Sequence, residues 1–554
     1  MADQVIRGTK DFQVPEYFNF ADVIDEWAKN EKEGRRQSDH PALWWIDGAG
    51  NEVKWSYQDV ALNSKKTANV LSTAADIKPG DRVMVILPRI PEYWLIQAAC
   101  LRTGGVFVIM AINIGPKELQ WRILRSKPVC VVACPCDQID NELLDVVDQI
   151  TSSGQVNIRS RILVNRMKQE QREGWLSFED LFRTASADFQ SVNSLSSATS
   201  NIFHTSGTTG NSKMAEHSQA STGLGSAGMR YSRFVETDLN WTTTPTGWSV
   251  LPICSFFMPW SVGSGSFVHY KNVTTREALE TLQKYPITQG QFGPSFYMTA
   301  LDEEDLKSFS FPKLYRCLVA GEPANKHMIR RWKEETGVEL WNYYGQTETN
   351  VLTLPREPGD DSRYDSVGKP FPGIDMIIVN DNDQEVPPGT LGRVVIRVKP
   401  YRPVGMFTCY VDEPEKTLAC YSGDFYVTGD LGRMDADGYF WVVGRADDMI
   451  FNNALNINPC EVENCLKGHP AVLDCAVVSS PHLMGQTIKA FIVLSSGFIN
   501  RNHDELIKEL QDHVTYNTAA WMCPKKVEFI GDLPRTVTGK VSRRELKNRE
   551  WSTQ

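Results

Sequence analysis

The chain has 554 residues, more than a single hydrophobic core usually spans, so at least two domains are predicted. Its formal net charge of −10 and the lack of a long basic run argue against nucleic acid as the main partner. Hydrophobic residues make up 41% and charged residues 23%, which is ordinary for a globular enzyme. No apolar stretch is long enough to span a membrane.

The first two fifths of the chain alternate short apolar runs with amphipathic ones. Continuous apolar runs joined by helix-like segments are typical of a parallel sheet that is covered by helices. The predicted strands are residues 82–87, 105–110 and 129–133, and the predicted helices between them are residues 91–101 and 116–126. The same alternation returns at residues 314–320 and 326–336.

The pattern changes near residue 374, where short strands and turn clusters predict a β-rich subdomain up to about residue 446. A compact α+β pattern follows, in which residues 503–514 predict an amphipathic helix with Leu506, Leu510 and Val514 on one face. The predicted fold class is therefore α/β. A large N-terminal domain of parallel-rich sheets, with its β-rich subdomain, is expected at 1–446, and a small mobile α+β domain at 447–554.

The twelve cysteines are scattered along the chain, with one local cluster at Cys130, Cys134 and Cys136. This spacing has no second set of cysteines or histidines at the distance that metal ligands need. Buried free thiols in a reducing compartment are therefore favoured over a metal site.

A run of hydroxyl, glycine and lysine residues follows the apolar segment Asn201-Ile202-Phe203. Flexible backbone N–H groups and hydroxyls donate to phosphate oxygens and a lysine adds charge, so the run is a candidate polyphosphate loop. Taken alone, a solvated loop remains the alternative. The P-loop of nucleotide hydrolases does not fit, because Ser212 replaces its second glycine and Met214 its final hydroxyl residue. The run consists of Thr205, Ser206, Gly207, Thr208, Thr209, Gly210, Asn211, Ser212 and Lys213.

Four further segments combine reactive groups with turn residues. Each has a simpler explanation when taken alone, namely a polar turn, a β-turn, a surface salt-bridge cluster or an exposed lysine. Their order along the chain is more specific than any one of them. The segments are Tyr344-Gly345-Gln346-Thr347-Glu348-Thr349, Tyr426-Val427-Thr428-Gly429-Asp430, Gly444-Arg445-Ala446-Asp447-Asp448 and Leu533-Pro534-Arg535-Thr536-Val537-Thr538-Gly539-Lys540.

With these motifs in this order, the chain resembles the ANL adenylate-forming superfamily, which contains acyl-CoA synthetases, peptide-synthetase adenylation domains and firefly luciferases. The resemblance runs from about Tyr57 to Leu546 and is strongest to the medium-chain acyl-CoA synthetase family. The closer resemblance rests on Val14-Pro15-Glu16-Tyr17-Phe18-Asn19-Phe20, Lys213-Met214-Ala215-Glu216-His217-Ser218, Ala320-Gly321-Glu322-Pro323, Ser366-Val367-Gly368-Lys369-Pro370 and Lys526-Val527-Glu528-Phe529-Ile530.

The resemblance implies a two-step ligation of a medium-chain fatty or aryl carboxylic acid to coenzyme A, with ATP and Mg²⁺. The carboxylate attacks the α-phosphorus of ATP and gives acyl-AMP and pyrophosphate, and the thiol of coenzyme A then displaces AMP. Because no protein nucleophile takes part, catalysis is expected from positioning and charge stabilisation. The expected partners are these small molecules.

The resemblance also implies a role for each motif in nucleotide binding. The loop at 205–213 would cover the β- and γ-phosphates. The resemblance places Gly321, Glu322 and Pro323 beside the adenine and Tyr344 stacked on the adenine ring, with Gly345 and Gln346 next to Tyr344. It places Asp430 and Arg445 at the ribose.

Three residues are implied at the reacting atoms. Thr347 would approach the α-phosphate, Glu348 would bind Mg²⁺ through the hard oxygen ligand that this ion prefers, and Lys540 would bridge the carboxylate and the α-phosphate. Asp447 would be the hinge about which the small domain rotates between the two steps, which exchanges Lys540 for a face that binds coenzyme A.

The acyl pocket is expected near Trp248, Ile253 and Phe256. The coenzyme A face departs from the family, which usually has Ser-Ser-Gly-Tyr-Arg-Ile-Gly after the hinge where this chain has Asn452-Asn453-Ala454-Leu455-Asn456-Ile457-Asn458. Absent glycines restrict the backbone, and loss of the arginine at Asn456 removes a charged donor, worth roughly 1.5–3 kcal/mol. The residues in doubt for coenzyme A binding are Asn453, Ala454, Leu455 and Asn456.

Two alternatives to a full ligase stay open because of this departure. One is a degenerate, non-catalytic homologue that still binds nucleotide or acyl groups. The other is an adenylating enzyme with a weakened thioesterification step. An intact phosphate loop together with Asp430, Arg445 and Lys540 favours an active enzyme over both.

Family members are commonly enzymes of the mitochondrial matrix, so the resemblance implies that compartment. The first residues include Asp3, Asp11 and Glu16 and show neither the apolar core of a secretory signal nor an Arg- and Ser-rich transit peptide. A cytosolic location is therefore the alternative.

Overall fold

A computed structural model describes residues 14–37, 39–139, 141–167, 170–205, 212–226, 234–319, 324, 326–357, 359–452, 455–482, 485–536 and 540–551. Two large, mainly parallel sheets form the N-terminal part of the chain. A smaller antiparallel sheet and a C-terminal three-stranded sheet follow.

The first large sheet has eight strands, parallel except at the end that carries the phosphate-loop hairpin. Its central strands match the apolar runs of the sequence to within one or two residues, because burial on both faces requires continuous apolar side chains. From edge to edge the strands are Cys409–Tyr410, Lys213–Ser218, Thr199–Thr205, Val106–Ile109, Arg82–Ile86, Cys130–Ala133, Ser160–Leu163 and Leu176–Ser177.

The second large sheet has seven strands and is parallel except for its last pair. From edge to edge the strands are Glu339–Asn342, Arg316–Val319, Gln289–Phe292, Leu239–Thr242, Gly265–His269, Leu43–Ile46 and Glu52–Trp55.

The antiparallel sheet spans the region that was predicted to be β-rich. Its strands run in the order Met376–Val379, Gly392–Arg397, Phe425–Met434 and Tyr421–Ser422, and Phe440–Arg445 also pairs with Phe425–Met434. Short two-stranded ribbons join Gly345–Gln346 to Asn350–Val351, Thr353–Leu354 to Lys369–Pro370, and Ile450–Asn452 to Leu455–Ile457.

The C-terminal sheet pairs Val472–His482 antiparallel with Gly485–Leu494, which pairs parallel with Lys526–Phe529. Three helices pack on it, and the helix His503–Asn517 buries Leu506, Leu510 and Val514 as the sequence predicts. The other two helices are Pro459–Leu466 and Arg543–Trp551.

The largest hydrophobic cluster surrounds the helix Pro91–Thr103, every residue of which is buried. Pro91 lies at the first helical turn, and Gly104 ends the helix in the left-handed conformation with φ 74°. The remaining α-helices are Phe20–Lys32, Tyr57–Thr73, Pro116–Ser126, Asn141–Ser153, Phe178–Thr184, Val250–Pro252, Met258–Ser261, Thr275–Lys284, Pro294–Leu301, Lys326–Thr336 and Pro414–Leu418. Single π-helical turns occupy Ala220–Leu224 and Ile253–Phe257.

All twelve cysteines are free thiols, and most of them are buried. Within the described ranges, no helix has the length and apolarity that a membrane span would need. Histidine, cysteine and acidic side chains form no group of three or more with metal-binding geometry in the same ranges.

Candidate active site

A large cleft, with a volume of about 1710 Å³, gathers motif residues from distant parts of the chain. Both large sheets, the antiparallel sheet and the C-terminal segment contribute to its walls. The predicted site residues that line it are Thr205, Ser212, Lys213, Trp248, Tyr344, Gly345, Gln346, Thr347, Glu348, Asp430, Arg445, Asp447 and Lys540.

The two ends of the candidate phosphate loop belong to an antiparallel hairpin. Thr205 and Lys213 are cross-strand partners, and both face the cleft. Residues 206–211 (Ser206, Gly207, Thr208, Thr209, Gly210 and Asn211) lie outside the described residues, as do Gly321, Glu322 and Pro323. The hairpin therefore fixes where the loop starts and ends beside the cleft.

Asp430 is the centre of a hydrogen-bond network on the antiparallel sheet. It is 7% exposed, and its Oδ2 accepts from the Tyr344 hydroxyl at 2.6 Å and from Gln346 Nε2 at 2.7 Å. Arg445 Nη1 lies 3.6 Å from Oδ1. Burial raises the pKa of Asp430 above its ordinary value, and the positive charges of Arg445 and Lys540 oppose this rise.

Arg445 is held in place by the strand that carries Asp430. Its Nη1 donates to the Thr428 carbonyl at 3.0 Å, and its Nε donates to Asp447 Oδ1 at 3.3 Å. Gly429 has φ 75°, and a Cβ there would lie 2.7 Å from Arg445 Nη2. The glycine of the Thr-Gly-Asp motif is therefore needed both for its backbone conformation and for the room that it gives to the guanidinium.

Glu348 has a distinct environment from Asp430. Its Oε1 accepts from the Tyr410 hydroxyl at 2.5 Å, and Lys213 Nζ lies over the Tyr410 ring at 4.5 Å from the centroid. Burial, followed by the Glu348 charge, raises the pKa of Tyr410 well above its ordinary value, so the phenol stays protonated and donates. The arrangement places one carboxylate beside the lysine of the phosphate loop.

Thr347 is positioned by a residue that the sequence motifs did not single out as functional. The Nε2–H of His217 donates to the Thr347 carbonyl at 2.7 Å, and His217 Nδ1 lies 3.1 Å from Ser221 Oγ. Burial lowers the pKa of His217 to about 4, so the imidazole is neutral at physiological pH. The Thr347 hydroxyl lies 3.3 Å from Ser249 Oγ. The sequence offered one signal for this contact, namely the histidine of the Met-Ala-Glu-His-Ser segment. Its partner Thr347 lies 130 residues further along the chain, so the contact itself could not be predicted.

Lys540 approaches the cleft from the C-terminal segment. Its Nζ lies 5.9 Å from the centroid of the Trp248 ring, and its charge acts on Asp430. Thr536 N donates to the Lys540 carbonyl at 2.7 Å, and Arg535 forms an isolated antiparallel β-bridge with Val541. Lys540, Trp248 and Asp430 thus line one cleft although they come from three separate parts of the chain.

The residues predicted for the acyl pocket divide into two groups. Trp248 lines the cleft, together with Ala324 and Tyr343. Ile253 and Phe256 lie in the largest hydrophobic cluster, where Phe256 is 0% exposed and packs against Phe20 and Trp260, and neither is among the residues that line the cleft.

The residues whose role in coenzyme A binding is in doubt follow the turn that contains Asp447. Leu455 and Asn456 belong to a strand that pairs with Ile450–Asn452, whereas Asn453 and Ala454 lie outside the described residues. Asn458 caps the next helix by accepting from Cys460 N at 3.1 Å. Asn458, Cys460 and Arg543 line the cleft on this side.

Family models match both parts of the chain. A model described as AMP-binding enzyme matches residues 30–411, and one described as AMP-binding enzyme C-terminal domain matches residues 461–540. Curated relatives are similar over almost the full length. Acyl-coenzyme A synthetase ACSM3, mitochondrial, of Mus musculus is 42% identical over 98% of this chain and 92% of its own. Acyl-coenzyme A synthetase ACSM4, mitochondrial, of Homo sapiens is 42% identical over 97% of this chain and 91% of its own.

Solved structures show the same fold. The anthranilate CoA ligase AuaEII in complex with anthranoyl-AMP matches with a TM-score of 0.85 and 25% identity, over 98% of each chain. The ATP-bound RpMatB-BxBclM chimera B1 matches with a TM-score of 0.80 and 26% identity, over 96% of this chain and 99% of its own.

Fold and cleft together define an adenylate-forming enzyme. The chain belongs to the AMP-binding enzyme family. The predicted resemblance to the acyl-CoA synthetases of the adenylate-forming superfamily is confirmed, and so is the predicted α/β class.

Proposed function

We propose that this protein joins a medium-chain fatty or aryl carboxylic acid to coenzyme A in an ATP- and Mg²⁺-dependent reaction that passes through an acyl-AMP. The observation that carries the proposal is that Lys540, Asp430 and both ends of the loop at 205–213 line one cleft. An adenylating site requires a cation where charge develops at the α-phosphate and an acceptor for the ribose hydroxyls, and the C-terminal segment and the antiparallel sheet supply these two groups.

The chemistry is an exchange at phosphorus followed by an exchange at carbon. A carboxylate oxygen forms a bond to the α-phosphorus while the bond to the pyrophosphate oxygen breaks, and pyrophosphate leaves with its electron pair. The sulfur of coenzyme A then bonds to the acyl carbon, the thiol proton is released, and AMP leaves. The protein supplies orientation and positive charge where negative charge develops.

In the proposed nucleotide site, Asp430 accepts from the ribose hydroxyls and Arg445 keeps that carboxylate ionised and in place. Tyr344 and Ala324, the residue that follows Pro323 in the sequence, both line the cleft, which supports a site for the adenine on this wall. The phosphate loop, which begins at Thr205 and ends at Lys213, would cover the terminal phosphates. This assignment is supported by the placement of the loop ends on the cleft wall.

Glu348 is the proposed Mg²⁺ ligand, and its surroundings fit that ion. Mg²⁺ commonly takes one or two carboxylates and completes its octahedron with waters and substrate phosphates. Glu348 offers one carboxylate on the cleft wall, oriented by the Tyr410 hydroxyl and adjacent to Lys213. When bound, the ion would neutralise phosphate charge.

Lys540 is the proposed catalytic cation of the first step. Its position near Trp248 and Asp430 places the ammonium group between the wall that would receive the acid and the wall that would receive the nucleotide. Stacking against Trp248 adds a cation–π attraction of about 0.5–1 kcal/mol at a partly exposed site. Under this proposal, the present arrangement would be the adenylating state.

We propose a domain boundary at Asp447, with 1–446 as the nucleotide-binding domain and 447–554 as the mobile domain. Asp447 lies in a single 3₁₀ turn, Ala446–Asp448, between the strand Phe440–Arg445 and the ribbon that starts at Ile450. Rotation there would withdraw Lys540 and present the face near Leu455 and Asn456 to the acyl-AMP.

The proposed acid site begins at Trp248 and extends along the cleft wall formed by Ala324 and Tyr343. An apolar slot would distinguish chain lengths by about 0.8 kcal/mol per buried methylene, roughly fourfold in affinity. Because the curated relatives ACSM3 and ACSM4 are named as mitochondrial proteins, we propose the mitochondrial matrix as the compartment.

The proposal is tested by supplying purified protein with ATP, Mg²⁺, coenzyme A and a panel of acids from butyrate to dodecanoate together with benzoates. Pyrophosphate and thioester are measured in parallel. We expect both products with at least one acid, and we expect Lys540→Ala to abolish pyrophosphate release. Lys525→Ala, which removes an exposed lysine of the same segment, is the matched control.

The departure at Asn452 to Asn458 favours one second candidate, an enzyme that adenylates acids but transfers them poorly to coenzyme A. Pyrophosphate release in clear excess over thioester would identify it. Absence of both products with every acid would instead identify a non-catalytic binding protein.

A further inference from the structure

The cleft wall next to the proposed phosphate loop contains buried polar groups, and of these only Ser212, as a member of that loop, has a role in the proposed reaction. His204, next to the phosphate loop on the strand Thr199–Thr205, is 4% exposed. Neither of its ring nitrogens has a hydrogen-bond partner within the part of the chain that the structure describes. The hydroxyls of Ser212 and Thr246 are also buried, and neither has a hydrogen-bond partner among the described residues. All three residues line the cleft. Such groups are costly to bury unless a ligand satisfies them.

Arg122 brings a positive charge to the same place. Its Nε donates to Glu118 Oε1 at 2.8 Å and its Nη1 lies 3.7 Å from Met110 Sδ, while Nη2 makes neither contact. Burial and, after it, the Arg122 charge lower the pKa of His204 well below its ordinary value. His204 is therefore a neutral imidazole, which offers one N–H donor.

Thr246 lies in a loop that packs on the segment next to Arg122. Gly247 has φ 92°, and a Cβ there would lie 2.3 Å from the backbone of Ala111, which directly follows Met110. The loop that carries Thr246 therefore packs directly on the segment that also supports Arg122. Arg122, His204 and Thr246 come from different parts of the fold, and all three line the cleft.

We propose that His204, Arg122, Ser212 and Thr246 form an oxyanion subsite on this wall of the cleft. The guanidinium supplies charge and planar donors, and the imidazole and the two hydroxyls supply neutral donors, which together suit a phosphate or a carboxylate group. The subsite deepens the proposed function and rests on it. Two sources of the oxyanion are compatible with this chemistry, namely the pyrophosphate end of ATP, which the adjacent loop would hold, and the distal carboxylate of a dicarboxylic acid substrate.

The first arm of the test measures binding without turnover. Isothermal titration of the whole protein with magnesium pyrophosphate is compared for wild type, His204→Phe and Thr246→Val. We expect at least tenfold weaker binding for His204→Phe, the loss expected for a hydrogen bond to a charged group. Thr281→Val is the control, because this helical threonine is equally buried but donates to its own helix at Glu277. Melting temperatures establish that each variant folds.

The second arm compares KM for hexanoate and for adipate, two acids of equal chain length that differ in the distal carboxylate. Weaker pyrophosphate binding with an unchanged adipate-to-hexanoate ratio assigns the subsite to the nucleotide. A ratio that changes at least tenfold with unchanged pyrophosphate binding assigns it to the acid. Changes under twofold in both arms overturn the subsite, and Thr246→Val decides if His204→Phe does not fold.

The two proposals fail in different ways. Loss of all turnover in wild type with every acid contradicts the proposed function but leaves the titration with pyrophosphate intact. Normal turnover with unaffected pyrophosphate binding and an unaffected acid ratio in the variants contradicts the subsite alone.

Discussion

Asp430 shows how the surroundings of one carboxylate set its working range of pH. Burial raises its pKa, and Arg445 at 3.6 Å is the first of the charges that counteract the rise. A carboxylate with a raised pKa is ionised only at higher pH, so without the arginine the acceptor form would be lost at a pH where the wild type still has it.

Arg445→Gln is therefore expected to move the acid limb of the profile of kcat/KM for ATP to higher pH, with partial recovery of rate as the pH is raised further. The profile is measured from pH 5 to 9 by pyrophosphate release. Arg397→Gln removes an exposed arginine that pairs with Asp375 on the same sheet and serves as control. An acid limb that stays in place in Arg445→Gln would show that the arginine does not tune Asp430.

His217 makes a second residue-scale prediction, on stability. Its pKa is about 4 in the folded protein against an ordinary value of 6.5, so between these values the unfolded chain binds more protons. Stability is therefore expected to fall by about 3 kcal/mol as the pH drops from 6.5 to 4 because of this residue.

His217→Gln keeps a donor for the Thr347 carbonyl but does not titrate. Its urea midpoint should depend less steeply on pH than that of wild type across this window, although it is less stable at neutral pH. An equal slope in both proteins would contradict a neutral, buried His217.

At the scale of elements, amphipathic helices were predicted best from the sequence. Pro116–Ser126 and Lys326–Thr336 have the bounds that periodicity gave, because the first begins with a proline at its first turn and both have one apolar face. The π-helical turn Ile253–Phe257 carries no such local signal. It directs Ile253 and Phe256 into the core, which is why proximity in sequence to Trp248 did not place them beside it in the cleft.

The ribbon that presents Gln346 and Thr347 depends on a close backbone approach. A Cβ at Gly345 would lie 2.1 Å from the Asn350 carbonyl oxygen, too close for any rotamer to relieve. Gly345→Ala is expected to destabilise the protein by about 1–3 kcal/mol and to lower kcat, since the turn that holds Thr347 must shift.

Gly497→Ala is the matched control, because a Cβ there meets nothing within 4 Å. Thermal unfolding and pyrophosphate release are measured for both variants. If Gly345→Ala were as stable and as active as Gly497→Ala, the ribbon would not be the rigid support inferred from its geometry.

At the scale of the whole molecule, the sequence alone could not establish that the motifs meet. More than a hundred residues separate Asp430 from Lys540 in the sequence. Only the resemblance of the chain to a known family indicated that the two residues belong to one site. Interactions without a motif escaped prediction altogether, as with His217 and Thr347, because neither periodicity nor spacing reports a contact between distant segments. The buried polar groups around His204 also escaped prediction from the sequence, for the same reason.

The hinge is the prediction that belongs to this scale. Proline fixes φ near −65°, which a 3₁₀ turn tolerates but a rotating hinge does not. Asp447→Pro is expected to keep the present arrangement, and so to retain pyrophosphate release while thioester formation falls at least tenfold. Asp447→Ala, which preserves backbone freedom, should retain both steps. Equal loss of both products in Asp447→Pro, with the fold intact, would contradict a hinge at this turn.

The hydrogen bond from Tyr344 to Asp430 has a consequence for nucleotide selectivity. If a deoxy-nucleotide leaves a buried carboxylate without a hydrogen-bond donor, it binds much more weakly than the ribonucleotide, because burying an unpaired acceptor costs free energy. Here the Tyr344 phenol and the Gln346 amide already donate to Oδ2 at 2.6 and 2.7 Å, so this oxygen stays hydrogen-bonded when a sugar hydroxyl is missing. Under the proposed role of Asp430, the enzyme would therefore discriminate ribose from deoxyribose less sharply than the buried acid alone would dictate.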